Sequence, residues 1–288
     1  MLVKLQSLPE ENVLQVIELL FNSQVTGSQN REEIREFITG RYFDSGRYFL
    51  VNLQEDRVLA TVGAVIAEAE NKEIFVTAMS CSDGHEECIE PMTRQLLNDL
   101  TSFGNCSIKL GVRDGQKVPQ GFPESLGFTR SYSLLRMIFA GSLPDTDAQK
   151  SVELCHLKPE NLKHFVEVTN SSFAGTPNAA SLDIDDATRL LNRDDMICGL
   201  FKHQNEIKGS FELKLVESVG WIDSIGILPQ YRGKGLGKAF VAKLILKLNE
   251  GGFSKVKLSV ISNNEKAYGL YKKMGFEVER CLSDWYVI

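Results

Sequence analysis

Residues 219 to 252 read VGWIDSIGILPQYRGKGLGKAFVAKLILKLNEGG, and few folds accept such a stretch. Its opening is apolar and β-branched, which predicts a buried strand ended by Pro229. Its second half repeats Leu236, Phe240, Leu244 and Leu248 every four residues, with Val241 and Ile245 beside them. That is one apolar helical face, stopped by Gly251-Gly252. Between strand and helix lies QYRGKGLGK, in which Gly233, Gly235 and Gly237 alternate with Arg232, Lys234 and Lys238. Glycines let backbone N–H groups turn inward, and the helix start adds a partial positive charge. A strand-to-helix turn of this kind suits phosphate groups and belongs to an α/β fold.

The basic turn stands out because the whole chain is mildly acidic, with a net charge of −6 over 288 residues. That balance argues against nucleic acid as a partner. The length allows two ordinary domains, and 43% hydrophobic content suits globular folding. No apolar run is long enough to span a bilayer. The start, MLVKLQSLPEENVL, carries acids and a proline where a signal peptide needs an apolar core. Cys81, Cys88, Cys106, Cys155, Cys198 and Cys281 are scattered, with no Cys-x-x-Cys pair. The expectation is a cytoplasmic protein with reduced thiols and no membrane partner.

Two phosphate loops fail on the residues present. The nucleoside-triphosphatase pattern would need glycine at Arg232 and Ser or Thr at Ala239. The dinucleotide pattern accepts Gly233 and Gly235 but meets Lys238 at its third glycine. Gln-x-x-Gly-x-Gly does fit, as Gln230, Gly233 and Gly235. Downstream, SKVKLSVIS alternates like a strand. After it, Asn264, Ala267, Leu270, Tyr271, Gly275 and Phe276 fit Asn-x-x-Ala-x-x-Leu-Tyr-x-x-x-Gly-Phe. Both patterns, in this order, resemble the GNAT superfamily of N-acetyltransferases, over about residues 153 to 288.

The resemblance implies a set of roles. Acetyl-CoA would be the co-substrate, with no metal. The turn formed by Gln230, Tyr231, Arg232, Gly233, Lys234, Gly235, Leu236, Gly237 and Lys238 would hold its pyrophosphate, mainly through backbone amides. The strand at Ile225, Gly226 and Ile227 would carry the pantetheine arm, with an amide near Ile227 facing the thioester oxygen. Asn264 would bond the arm from the other side, although asparagine also favours a helix N-cap. Tyr271 resembles the tyrosine that protonates the leaving thiolate; the alternative is core packing. Asp223 and Glu212 are the candidate bases, with water or a structural ion pair as the alternative. Strict alternation would place Asp223 on the face of Ile225 and Ile227.

The first half repeats the second. Leu5 in KLQSLPEENVLQVIELL matches Leu154 in ELCHLKPENLKHFVEV, 149 residues on, and Phe128 in PESLGF matches Phe276 in YKKMGF, 148 on. The expected fold is therefore two tandem GNAT-like domains, each a mixed, mostly antiparallel central sheet flanked by helices. The expected spans are 1–140 for the first, 141–151 for a polar linker and 152–288 for the second. The first copy has lost the motifs. At the position of the basic turn it reads SCSDGHEECIEP, with Asp83, Glu86, Glu87 and Glu90 around Gly84, and Pro123 stands in for Tyr271. Acids there repel a pyrophosphate. The first copy then serves packing, homodimerisation or a wall of the acceptor site. Cys81, His85 and Cys88 lack a fourth zinc ligand nearby. The expected function is transfer of an acetyl group to a primary amine of a small molecule or peptide. A non-catalytic acyl-CoA sensor or scaffold is the alternative. Variable segments, such as 170–192, leave the acceptor open.

Overall fold

The computed structural model describes all residues except 29, 67, 68, 70, 71, 143–150 and 176–180. Most of the expected linker, 141–151, thus lies outside the described residues. The chain forms two compact units, Met1–Ser133 with Leu282–Ile288, and Leu134–Cys281. The split runs through two strands. β6 (Thr129–Phe139) begins in the first unit and ends in the second, and β12 (Phe276–Val287) does the reverse.

The first unit contains β1 (Leu2–Lys4), α1 (Glu10–Ser23), α2 (Arg31–Thr39), β2 (Phe49–Gln54), β3 (Arg57–Val65) and β4 (Glu73–Cys81). It continues with α3 (Ile89–Leu100), β5 (Ser107–Arg113), α4 (Phe122–Ser125) and the start of β6 (Thr129–Phe139). β1 to β4 pair antiparallel in order, β4 and β5 pair parallel, and β5 pairs antiparallel with Ser283–Val287 of β12 (Phe276–Val287). One face buries Ile74, Val76 and Met79 with Ile89, Met92 and Leu96 of α3. The other buries Phe49 and Val51 with Val16, Ile17 and Leu20 of α1 and Ile34 and Ile38 of α2.

The second unit repeats this plan. It contains β7 (Val152–His156), α5 (Leu162–Phe173), α6 (Ile184–Leu191), β8 (Met196–His203), β9 (Glu206–Val216) and β10 (Val219–Ile227). α7 (Leu236–Glu250), β11 (Lys255–Ile261) and α8 (Glu265–Lys273) complete it. β7 to β10 pair antiparallel, β10 and β11 pair parallel, and β11 pairs antiparallel with Leu134–Ile138 of β6. The apolar stripe read in the sequence behaves as expected: Val241, Leu244, Ile245 and Leu248 of α7 bury against Phe211, Leu213, Ile222 and Leu258. α5 and α6 cover the opposite face through Phe165, Val168 and Ala187, against Cys198 and Leu200. Both units are thus α/β, with mixed and mostly antiparallel sheets flanked by helices.

The C-terminal strand completes the N-terminal unit. Trp285 stacks on Tyr132 at 6.0 Å and meets Phe75 edge-on at 5.9 Å. It also covers Gly111, where an added Cβ would lie 2.9 Å from the indole. Deleting Leu282–Ile288 should strip hydrogen-exchange protection from Lys109–Arg113 of β5, while β8 and β9 keep theirs. Trp285→Ala should destabilise the first unit by roughly 2–4 kcal/mol, below the fully buried range because the indole is half-buried; chemical denaturation measures it.

Candidate active site

The site begins where two parallel strands part. β10 pairs with β11 only over Val219–Ile222, against Lys255–Leu258. Beyond that, β11 stays with β6 while β10 stays with β9, Ser224–Ile227 lying against Gly209–Glu212. Among the described residues, the β11-facing edge of Ser224–Ile227 has no ladder partner. Alternation points the backbone groups of Gly226 at β9 and those of Ile225 and Ile227 at the open edge, so the Ile225 N–H and C=O and the Ile227 N–H are offered to a ligand as a sheet edge offers them to a strand.

The edge leads into the glycine turn. Pro229, Gln230 and Tyr231 form a single tight turn, and Gly235 is the N-cap of α7 with no side chain capping it. Gly233 and Gly235 have φ of +75° and +79°, and a Cβ on either would meet nothing within 4 Å. The backbone therefore faces open space in a conformation that glycine adopts without strain. The N–H groups of Leu236, Gly237 and Lys238, in the first turn of α7, have no intrahelical acceptor. Lys234 and Lys238 are exposed beside them. A negatively charged pyrophosphate fits this set of amides and ammonium groups.

Arg232 plays a different part from its neighbours. Its backbone N–H is spent on Pro229 O at 3.2 Å. Its guanidinium donates from Nε to Ile227 O at 2.9 Å and from Nη2 to Ser172 O at 2.5 Å. Arg232 thus ties the turn to the end of β10 and to α5. The Lys208 ammonium lies 3.7 Å from the centre of the Tyr231 ring and pairs with Glu206, which holds the other flank. Sequence reading placed Arg232 with the phosphate-facing groups and missed this tie, because Ser172 lies 60 residues away and no local pattern marks the Ile227 carbonyl as an acceptor.

The two carboxylates meet across a β-bulge. Ile222 lies opposite Leu213 and Ser224 opposite Glu212, so Asp223 is the extra residue. The bulge resets the alternation that predicted Asp223 on the face of Ile225 and Ile227. Asp223 instead sits among Glu212, Lys214, Arg193 and Asp195, whose charges act on it or feel its own. Burial raises the Glu212 carboxyl to about 7, and the Asp223 carboxylate adds to the rise. Asp223 reaches solvent, yet the protein crowding around its carboxyl raises it too; Lys214 and Arg193 oppose that rise. Arg193 is itself held by Asp195 through hydrogen bonds of 2.8 and 2.7 Å.

Tyr271 is buried in the α8 side of the core, its ring 5.8 Å from Phe276. Burial lifts its phenol to about 12, so it stays protonated at neutral pH. Asn264 is exposed and caps α8, accepting from Ala267 N at 3.2 Å.

Comparison with known proteins decides the family. The acetyltransferase (GNAT) family profile matches residues 163–276. An acetyltransferase of Pectobacterium atrosepticum is 30% identical over 106 residues, 37% of this chain and 73% of that one. The chain belongs to the GNAT acetyltransferase family. A mycothiol acetyltransferase of Propionibacterium freudenreichii is 26% identical over 192 residues, 62% of this chain and 57% of its own length. The fold of the whole chain matches a tandem GNAT protein from the clavulanic acid biosynthesis pathway, with TM-score 0.62 and 13% identity, over 100% of this chain and 98% of that one.

The first unit has the parting and lacks the basic turn. β4 pairs with β5 only over Glu73–Val76 against Ser107–Leu110, the counterpart of the β10 and β11 split. The turn that follows carries Asp83, paired with Lys117, then Glu86 and Glu87 in a short 3-10 turn and Glu90 in the first turn of α3. α4 is a single turn where α8 has nine residues. Among the described residues, no cluster of three or more His, Cys, Asp or Glu side chains surrounds a metal-sized space. No helix among them is long and apolar enough to cross a membrane.

The Glu212 shift has a stability consequence. Its folded value lies above the ordinary 4.5, so the folded state holds the extra proton between about 4.5 and about 7. The favourable contribution is whole below 4.5 and is lost as pH rises to about 7. Glu212→Gln should therefore gain stability over the wild type at pH 8, on the order of 3 kcal/mol at most, and little at pH 5. Urea denaturation at the two pH values checks this.

Proposed function

We propose that the second unit transfers an acetyl group from acetyl-CoA to the primary amine of a small molecule by direct attack. The observation that carries this reading is the free β10 edge, which runs into an open, amide-rich turn while a carboxyl poised near 7 lies on the adjacent strand. Bound acetyl-CoA would supply an activated thioester. The amides of Gly233 to Lys238 would hold its pyrophosphate, with Lys234 and Lys238 neutralising charge and Arg232 fixing the turn. The Ile225–Ile227 edge would pair with the pantetheine amides and present an N–H toward the thioester oxygen.

The amine must lose a proton as its nitrogen bonds to the carbonyl carbon and the carbon–sulfur bond breaks. Glu212, whose carboxyl burial raises to about 7, takes that proton directly or through water. Asp223 raises the basicity of Glu212 by its charge. Tyr271, protonated at neutral pH, would donate its hydroxyl proton as a hydrogen bond to the departing sulfur and so stabilise the developing thiolate. The acidic turn of the first unit repels a pyrophosphate, so one acetyl-CoA binds per chain.

Calorimetry and thiol release test this together. Wild type should bind one acetyl-CoA per chain. Gly235→Val should weaken that binding tenfold or more, since valine at φ near +79° must displace the turn. Tyr271→Phe should lower kcat by about 10²–10⁴-fold with unchanged acetyl-CoA affinity. kcat should rise with pH through about 7 and lose that step in Glu212→Gln. Tight binding without thiol release, on an amine panel that includes peptides, would instead mark a sensor. Two equivalent sites per chain would overturn the division of labour between the units.

A further inference from the structure

One face of the second unit's sheet carries more than the two acids. Glu212 and Lys214 share that face of β9, and Lys214 lies opposite Trp221 on β10. Trp221 lies opposite Lys257 on β11, and Arg136 on β6 lies opposite Ser259, two residues beyond Lys257. The Arg136 guanidinium sits 4.9 Å and the Lys257 ammonium 5.9 Å from the centre of the Trp221 ring. One carboxylate, Glu279, serves both cations, at 2.6 Å from Lys257 and 3.7 Å from Arg136. Arg280 adds a third positive charge that acts on Arg136. The Arg136 Nε is buried and has no hydrogen-bond partner. Three cations, one acid and an unspent donor form a site with positive charge to spare.

Its place relative to the acids sets what it could hold. Lys257 stands one strand and two residues from Asp223, and two strands and two residues from Glu212. Strand spacing and rise put those backbones roughly 8–12 Å apart on one face. We infer that the acceptor is an amine that also carries an anionic group, held by Lys257 and Arg136 while its nitrogen lies at Glu212 and Asp223. This deepens the acetyl-transfer reading and rests on it for the role of the two acids. Trp221 lies beside both cations, and Arg280 adds a positive charge that Arg136 feels from the neighbouring strand position. The shared ligand chemistry is a carboxylate or a phosphate at the far end of a short amine. The net positive field also raises the encounter rate of such a molecule.

Matched amines test the inference on the full chain. The carboxylate pair is 6-aminohexanoate and hexylamine; the phosphate pair is glucosamine 6-phosphate and glucosamine. Thiol release at saturating acetyl-CoA should favour the anionic member of at least one pair by tenfold or more in kcat/KM, and the pair concerned identifies the anion. Lys257→Gln should raise KM for that amine about tenfold with kcat unchanged, and should leave KM for the neutral partner unchanged. Arg280→Gln, at an exposed position, should shift the same KM in the same direction and guards against a Lys257 variant that fails to fold. Equal KM changes for both members, or a neutral preference in both pairs, overturns the anion site and leaves acetyl transfer standing. If no amine is turned over, the acetyl-transfer reading fails instead. Calorimetric titration with the two anionic amines then decides the site: binding lost in Lys257→Gln supports it, and no binding to wild type overturns it.

Discussion

The structure of the second unit depends on one interruption in hydrogen bonding. A parallel pair of buried strands normally satisfies every N–H and C=O between them. Here β10 and β11 separate after Ile222, and the bulge at Asp223 marks the point of departure. Unpaired backbone in a sheet interior is costly unless something else binds it. The same break that frees the Ser224–Ile227 edge also turns Asp223 toward Glu212. The open edge and the paired acids are consequences of one local irregularity, and neither can be moved without the other.

The repeat shows which part of this arrangement is generic. Both units carry three antiparallel pairings, one parallel pairing that stops short, and a final antiparallel partner. The parting therefore comes with the fold. What differs is the charge at the mouth: Lys234 and Lys238 in the second unit, Asp83, Glu86 and Glu87 in the first. A few side chains on a turn change the sign of the field seen by a pyrophosphate, while the hydrophobic contacts that build the sheet are left alone.

Patterns local in the chain were legible in the sequence. The apolar stripe of α7, the glycine positions of the turn and the Asn264 cap each depend on spacing within a few tens of residues, and the duplication on such local patterns recurring 148 or 149 residues apart. Relations across strands were not. Alternation misplaced Asp223 because a single inserted residue inverts the faces of everything beyond it. Arg232 reads as one more cation until Ile227 O and Ser172 O are seen beside it. The cluster of Trp221, Lys257, Arg136 and Glu279 joins residues from four strands, and nothing in the local sequence of any one names the others. Glu212 was a candidate on position alone; only burial beneath α5 and α6 and the nearby Asp223 carboxylate show why it would titrate near neutrality.

In the proposed role of base, that placement of Glu212 sets function against stability. A carboxyl raised from 4.5 to about 7 is less stable ionised in the fold than in the unfolded chain, and ionised is the form a base needs. Moving Asp223 away would relieve part of the cost and return Glu212 toward an ordinary, weaker base. Lys214 and Arg193 hold the balance: they favour ionisation of Asp223 despite its crowding, and the Asp223 carboxylate in turn keeps Glu212 high. The cations at the acid pair thus raise the basicity of Glu212 indirectly, through the acid between them. A cation placed directly against Glu212 would do the opposite, lowering its pKa and weakening it as a base. The strand register separates the two cases, because it places Glu212 opposite Cys198 and Ser224, while Lys214 lies two residues farther along β9.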